Sequence, residues 1–371
     1  MAPRAMDVLA KSGVEFLIQA DAGTAAGFSD REYQEKGARV AQSRAEVFEA
    51  ADVLLQVRTL GANPEAGRED LELFRSGQTV IGFAEPLTAV RECAELAERG
   101  LSTFAMELIP RITRAQSMDA LSSMATIAGY KAVLLAANAL PRMFPLLMTA
   151  AGTVAPARVF VLGAGVAGLQ AIATARRLGA VVSAYDVRPA VKEQIESLGA
   201  RFMMMELEAE AAEDKGGYAR AMGEEFYRRQ REFLTTILRE QDVAITTAAV
   251  PGKRAPILIT REMAAAMAPG SVIMDLAAER GGNCELTRPG ETVIEGGVSI
   301  LGPLNLPSAV PYHASQMYAR NLAALVRHLV KDGKVSIDLE DEITRETLVT
   351  HGGEVVNPRV REALSVAESA A

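Results

Sequence analysis

A chain of 371 residues, 49% of them apolar, is longer than one typical domain and fits two of ordinary size, each able to bury a core. Its net charge of −8 and the lack of any basic or aromatic-interleaved tract exclude a nucleic-acid partner, because holding phosphates needs clustered Lys and Arg. Two distant cysteines, Cys93 and Cys284, and three scattered histidines offer neither a disulfide framework nor metal-ligand spacing, and point to a reducing compartment with no metal site.

In chain order, the first third alternates: helix over 3–11, strands over 14–19 and 52–57, helix over 68–75, strand over 79–83, helix over 87–99 and strand over 102–106. Such alternation predicts an α/β domain with a parallel sheet. No charged segment followed by an apolar stretch opens the chain, so no signal peptide is expected and the location is cytoplasmic. Residues 118–142 read as an apolar linking helix. The most membrane-like stretch, 132–161, is interrupted by Asn138, Arg142, Arg158 and three prolines, whereas a spanning helix needs about 20 apolar residues in a row. Direct membrane insertion is therefore not expected.

A second series begins with residues 157–188, ARVFVLGAGVAGLQAIATARRLGAVVSAYDVR. Strand 159–162 feeds Gly163-Ala164-Gly165-Val166-Ala167-Gly168, a helix runs to Leu178, and strand 181–185 ends on Asp186-Val187-Arg188. This is the pattern of a dinucleotide site. Gly163 allows the tight turn, Gly165 lets backbone N–H groups approach a pyrophosphate, and Gly168 lets the helix pack close on the sheet with its positive end toward the phosphates. Asp186 is spaced to accept from an adenosine ribose and, as a carboxylate, favours NAD(H) over NADP(H); Arg188 reads as an adenine-side or surface residue.

Further strands are expected over 201–205, 243–247, 271–276, 292–295 and 299–301, with a helix over 219–241. The acidic segment 206–218 reads equally as a mobile loop with a Gly216-Gly217 hinge or as a solvated helix with a glycine break. Met203-Met204-Met205 reads as core filling, Glu279-Arg280-Gly281-Gly282 as a strand-end loop or a tight turn, Pro311-Tyr312 as a hinge, and 314–331 as a second linking helix. His313, His328 and His351 read as ordinary surface or helix-face residues. Two doubly wound Rossmann-like domains follow: 1–122 with 314–371, and 143–312 inserted into the first, joined by the helix 123–142, with a ligand cleft expected between them.

Between strand 102–106 and the linking helix lies Arg111-Ile-Thr-Arg114-Ala-Gln116-Ser-Met-Asp119-Ala-Leu-Ser122. Its polar groups suit a clamp for a charged planar ligand, and equally a surface loop with an Arg111–Asp119 ion pair. This segment resembles the RQD loop of the NAD(H)-binding component, domain I, of the proton-translocating nicotinamide nucleotide transhydrogenases. The resemblance extends over 148–182, YDVR at 185–188, KEQIESLGA at 192–200, GGYARAMGEEF at 216–226, ITTAAVPGK at 245–253, LITREM at 258–263 and PGSVIMDLAAERGGNCEL at 269–286.

That resemblance implies NADH bound here and hydride passed directly to NADP+ held by a partner, domain III, with a membrane partner, domain II, coupling the step to proton movement. It also implies a homodimer, peripheral at the inner face of the plasma membrane through its partners. Arg111, Gln116 and Asp119 would then line the nicotinamide end, with Arg114 and Ser122 beside them, Gly217 and Tyr218 in a closing loop, and Ala249 and Val250 in a turn over the cofactor. Hydride transfer between two rings needs alignment, not a nucleophile or metal. The family's sheets open with a strand that would precede Met1, so the first strand of domain one is expected to be missing. Two alternatives remain: an alanine dehydrogenase, which looks to a histidine after the strand where this chain has Phe83-Ala84-Glu85-Pro86, and a non-catalytic NAD-sensing module.

Overall fold

The computed structural model describes residues 1–9, 12–205, 224–249 and 252–369. The chain divides into two compact units, one made of Met1–Met124 and Pro311–Ala371, the other of Ala125–Val310. The helix Ala120–Ala139 carries the division within it.

In the first unit, a five-stranded sheet runs in the order Glu354–Val355, Leu348–His351, Ser102–Ala105, Thr79–Phe83, Val53–Arg58. The last three strands are parallel, in the register Val53↔Thr79 and Thr79↔Ser102. The C-terminal segment enters this sheet antiparallel, Leu348 facing Phe104 and Thr350 facing Thr103. Leu17–Gln19 and Arg39–Ala41 form a separate parallel pair. The helix Pro311–Leu329 packs its Tyr318, Leu322 and Leu325 into the main core with Phe104 and Met106. Proline at the first helical position lacks an N–H that would have had no partner there, so Pro311 opens this helix, and the division between the two units falls just before it.

The second unit is a seven-stranded sheet. Labelled within this unit alone, its strands are β1 (Arg158–Leu162), β2 (Val181–Tyr185), β3 (Arg201–Phe202), β4 (Val243–Thr246), β5 (Val272–Asp275), β6 (Thr292–Glu295) and β7 (Val298–Leu301). Their order is β3-β2-β1-β4-β5-β7-β6, parallel except for the β6–β7 hairpin. Chain direction across the sheet reverses between β1 and β4, a topological switch point. Central strands covered on both faces read as continuous apolar runs. Thus Val159 and Val161 of β1 enter one core with Val243 and Ile245, while Phe160 and Leu162 enter the other with Ala244 and Ile273.

Several expected elements are shorter than the sequence pattern. The strand expected at 201–205 stops at Phe202; Met203 and Met205 still pack on the core, but Met204 is exposed. The expected helix at 68–75 is a 3-10 segment, Ala66–Glu72, and the described part of the helix at 219–241 is Glu224–Leu238. The linking helix is long and apolar enough to cross a membrane, yet its Ala132, Val133 and Ala136 are fully buried in the core of the second unit.

Candidate functional site

β1 ends at Leu162, and the chain turns through Gly163 with φ +101, a backbone conformation that side chains resist. The Gly163 N–H donates to the Tyr185 carbonyl at 2.8 Å, and the Leu162 and Gly163 carbonyls accept from Thr247 Oγ1 at 3.3 and 3.1 Å. The turn is thus tied to both neighbouring strands. A Cβ on Gly168 would collide with the Gly163 carbonyl oxygen, whereas one on Gly165 would meet nothing within 4 Å. Gly168 is therefore a packing requirement, and Gly165 leaves open space in front of the backbone.

The helix Val166–Arg177 starts at this opening and, among the described residues, no side chain caps it. Its first N–H groups have no intrahelical acceptor, which leaves donors and the positive end of the helix dipole free for an anion. Gly179, at φ +90, ends the helix and returns the chain to β2.

Asp186 follows β2 and is buried. Its Oδ2 accepts the Ala164 N–H at 2.8 Å, so the acid fastens the glycine turn from the side. Arg188, expected as an adenine-side or surface residue, is not a surface residue: its side chain is largely covered and turned onto Asp186. Its backbone N–H and Nε donate to Asp186 Oδ1 and its Nη2 to Oδ2, all at 2.9 Å, and little of the pair is exposed. The pairing is local, because a guanidinium two residues along matches the fork of the carboxylate.

Past β4, Ala248 is held on both backbone groups by the Asn283 side chain, and Ala249 is exposed. Asn283 was not singled out from the sequence; the only signal was the Gly281-Gly282 turn before it, which occupies φ +92 and +81. Val250, Gly217 and Tyr218 lie outside the described residues.

In the first unit, Thr113–Met118 forms a 3-10 turn whose Ala115 and Met118 are buried, leaving Arg111 and Gln116 exposed. Asn321 Nδ2 fixes this turn by donating to the Ser117 carbonyl at 2.9 Å. Asp119 precedes the helix Ala120–Ala139, its Oδ1 accepting the Ser122 N–H at 2.8 Å and its Oδ2 the Ser122 hydroxyl at 2.6 Å. Both residues thus act in a helix cap. Arg114 pairs with Asp341 at 2.8 Å, and Asp341 also meets His328 Nε2 at 2.8 Å. Against the upward push of burial, the Thr344 N–H, Arg114 and His328 hold the Asp341 carboxyl well below the usual range. His328 therefore has a specific partner, and His351 Nδ1 has one in Ser102 Oγ at 2.8 Å.

Glu107, at the carboxyl end of the Ser102–Ala105 strand, is a group the sequence did not reveal. Its Oε1 accepts the Ala84 and Glu85 N–H groups at 2.8 and 2.6 Å, and its Oε2 is buried without a partner. Burial pushes its carboxyl up to about 7 against the pull of these N–H groups.

Residues 1–128 match the family model described as the alanine dehydrogenase/PNT N-terminal domain, and 132–358 the one described as the C-terminal domain. The chain is 47% identical over 361 residues to the first part of NAD(P) transhydrogenase subunit alpha of Rhodospirillum rubrum, covering 96% of this chain and 94% of that one. Among solved structures, it resembles a transhydrogenase from Sinorhizobium meliloti at TM-score 0.84 and 45% identity, covering 96% of this chain and 95% of that chain. An L-alanine dehydrogenase superposes at TM-score 0.81 and 26% identity, covering 99% and 95%. With both family models matched over a fold that carries a glycine turn, an uncapped helix and a strand-end acid, the chain belongs to the alanine dehydrogenase/PNT family.

Proposed function

We propose that this chain is the NAD(H)-binding component of a proton-translocating NAD(P) transhydrogenase. The observation that carries the reading is the opening at Gly165, framed by the uncapped helix Val166–Arg177 on one side and the Asp186 carboxylate on the other. The residues present fit a dinucleotide. Gly163 and Ala164 would shape the turn, their N–H groups held by the Tyr185 carbonyl and Asp186, while Gly165, Val166 and Gly168 would offer backbone N–H groups to the pyrophosphate, and Asp186, Val187 and Arg188 would meet the adenosine. Ala249 and Val250 would border the other half of the molecule.

NAD(H), when bound, supplies a nicotinamide that gives or takes a hydride. The chain's task is to bind and orient it, since alignment of the reacting atoms supplies most of what such a transfer needs. The roles of Arg111, Gln116, Asp119, Arg114 and Ser122 near the nicotinamide, and of Gly217 and Tyr218 in a closing loop, rest on the resemblance alone. So do the NADP(H)-binding domain III partner, the membrane domain II partner, the homodimer and the position at the inner face of the plasma membrane.

Fold alone would also suit an alanine dehydrogenase. Against this, the turn after Thr79–Phe83 has no histidine, and its Ala84 and Glu85 N–H groups are spent on Glu107. The test is to supply the chain with NADPH and an NAD analogue, with and without an NADP(H)-binding domain III protein, and separately with alanine and NAD. Reduction of the analogue only on mixing supports the proposal; alanine-dependent NADH formation by the chain alone contradicts it.

A further inference from the structure

Where β4 ends, regular strand pairing stops and a side chain takes over. The ladder bonds at this end run from the Leu276 N–H to the Thr246 carbonyl on the β5 side and from the Thr247 N–H to the Leu162 carbonyl on the β1 side. At the next residue, Asn283 Oδ1 accepts the Ala248 N–H at 3.0 Å and Asn283 Nδ2 donates to the Ala248 carbonyl at 2.8 Å. The amide thereby imitates one rung of a sheet. Its second Nδ2 hydrogen goes to the Pro256 carbonyl at 2.8 Å, so the capacity of the buried amide is directed at holding this turn.

Asn283 is itself held. Its N–H donates at 2.7 Å to Asp275 Oδ2, a fully buried carboxylate that also accepts from the Cys284 N–H and Thr287 Oγ1 on the same loop. Its carbonyl accepts the Leu258 and Ile259 N–H groups at 2.8 and 3.0 Å. On the other side, Thr247, next to Ala248, donates its Oγ1 to the Gly163 carbonyl at 3.1 Å. A continuous hydrogen-bonded bracket runs from Asp275 through Asn283 to the backbone at 247–248, and from Thr247 into the glycine turn.

We infer that Asn283 is a positioning residue for the nicotinamide half of the dinucleotide, acting through the turn at Thr247–Ala248; the inference rests on the NAD(H)-binding reading above. Ligands of open α/β sheets lie in the crevice beyond the carboxyl ends of the strands at the switch point, here between β1 and β4. Asp186, past β2, lies on the adenosine side of that crevice. What lies over the end of β4 is the remainder of the dinucleotide; Thr247 there is still bonded to β1, and Ala248 is set by the Asn283 amide. A neutral amide suits this place: a carboxylate could accept from Ala248 but could not donate to two carbonyls.

The prediction is that Asn283 matters for NADH and not for AMP, which uses the adenosine side and the first phosphate position at the start of the helix Val166–Arg177 but not the nicotinamide half. The experiment titrates both ligands against the full chain and its Asn283→Ala, Thr247→Val and Ser271→Ala variants, by nucleotide fluorescence for NADH and calorimetry for AMP. Thr247→Val breaks the same bracket by removing one hydroxyl and serves if Asn283→Ala does not fold. Ser271 Oγ is a buried donor at the opposite, amino-terminal end of β5 and controls for general destabilisation.

The expected result is NADH affinity reduced about ten-fold or more in the bracket variants, with AMP affinity unchanged, and neither ligand affected by Ser271→Ala. Unchanged NADH affinity in folded bracket variants overturns the inference. Equal losses for NADH and AMP also overturn it, because they indicate a collapsed site and not a misplaced half. Failure of the unmodified chain to bind NADH instead overturns the NAD(H)-binding reading itself.

Discussion

Asp186 and Arg188 are paired at the end of β2: the Arg188 backbone N–H and Nε meet Asp186 Oδ1, and its Nη2 meets Oδ2, each at 2.9 Å. A ribose that hydrogen-bonds Asp186 must share it with this arginine. The pair also sets a cation beside the acid that would receive the ribose, held in check by that acid. Asp186→Asn is therefore expected to lower NADH affinity roughly ten-fold, the scale of losing one charge-assisted hydrogen bond of about 1.5 kcal/mol, and to raise NADPH affinity by releasing Arg188. Fluorescence titration with both nucleotides checks this, and unchanged NADPH binding would count against the pair as the discriminating device.

Gly165 and Gly168 separate binding from folding. A methyl group at Gly168 overlaps the Gly163 carbonyl, so Gly168→Ala should destabilise the second unit by about 1–3 kcal/mol through forced backbone movement. The same change at Gly165 meets open space, so Gly165→Ala should melt like the unmodified chain while weakening NADH, whose pyrophosphate needs close backbone approach. Melting curves and titrations of the two variants should show this crossed pattern.

How far the site was legible follows from distance along the chain. The strand, glycine turn, helix and Asp186 occupy one continuous segment, so hydrophobic run, glycine spacing and acid were all readable together. The Asn283–Ala248 bracket joins residues 35 apart, and the Thr103–Thr350 bond that seats the C-terminal strand joins residues 247 apart. Neither leaves a periodic trace. Leu348–His351 has a buried, apolar start, but nothing local says that it pairs antiparallel with Ser102–Ala105. Arg188 was legible as a cation but not as a partner of Asp186, because side-chain direction at a strand end depends on the turn that follows.

Glu107 should make the first unit less stable as pH rises. Its carboxyl is raised by burial from the ordinary value to about 7, so between these pH values the folded chain binds a proton that the unfolded chain has lost. Stability from this group is present below the unfolded value and is lost as pH rises toward about 7, by roughly 3 kcal/mol in total. Glu107→Gln keeps an acceptor for the Ala84 and Glu85 N–H groups, and urea unfolding between pH 5 and pH 8 should be flatter for the variant. The same pH profile in the variant and the unmodified chain would contradict a raised Glu107 carboxyl.

Asp119 tests cap against chemistry. Asp119→Ala removes the acceptor for both Ser122 donors and should cost about 0.5–2 kcal/mol of stability. Asp119→Asn retains an N-cap acceptor and should cost little. Transhydrogenation with a domain III protein by the Asn variant then reports on the charge alone: full activity assigns Asp119 to the cap, and loss with normal melting assigns the carboxylate a part in the transfer.

The central claim is that the second unit holds NAD(H) through Gly165 and Asp186. The measurement that bears on it most directly is titration of the unmodified chain with NADH and with NADPH, followed by nucleotide fluorescence, which is free of protein background from tryptophan because the chain has none. Saturable binding of NADH with NADPH at least about ten-fold weaker is the expected result. Equal binding of the two, or binding of neither, would contradict the account.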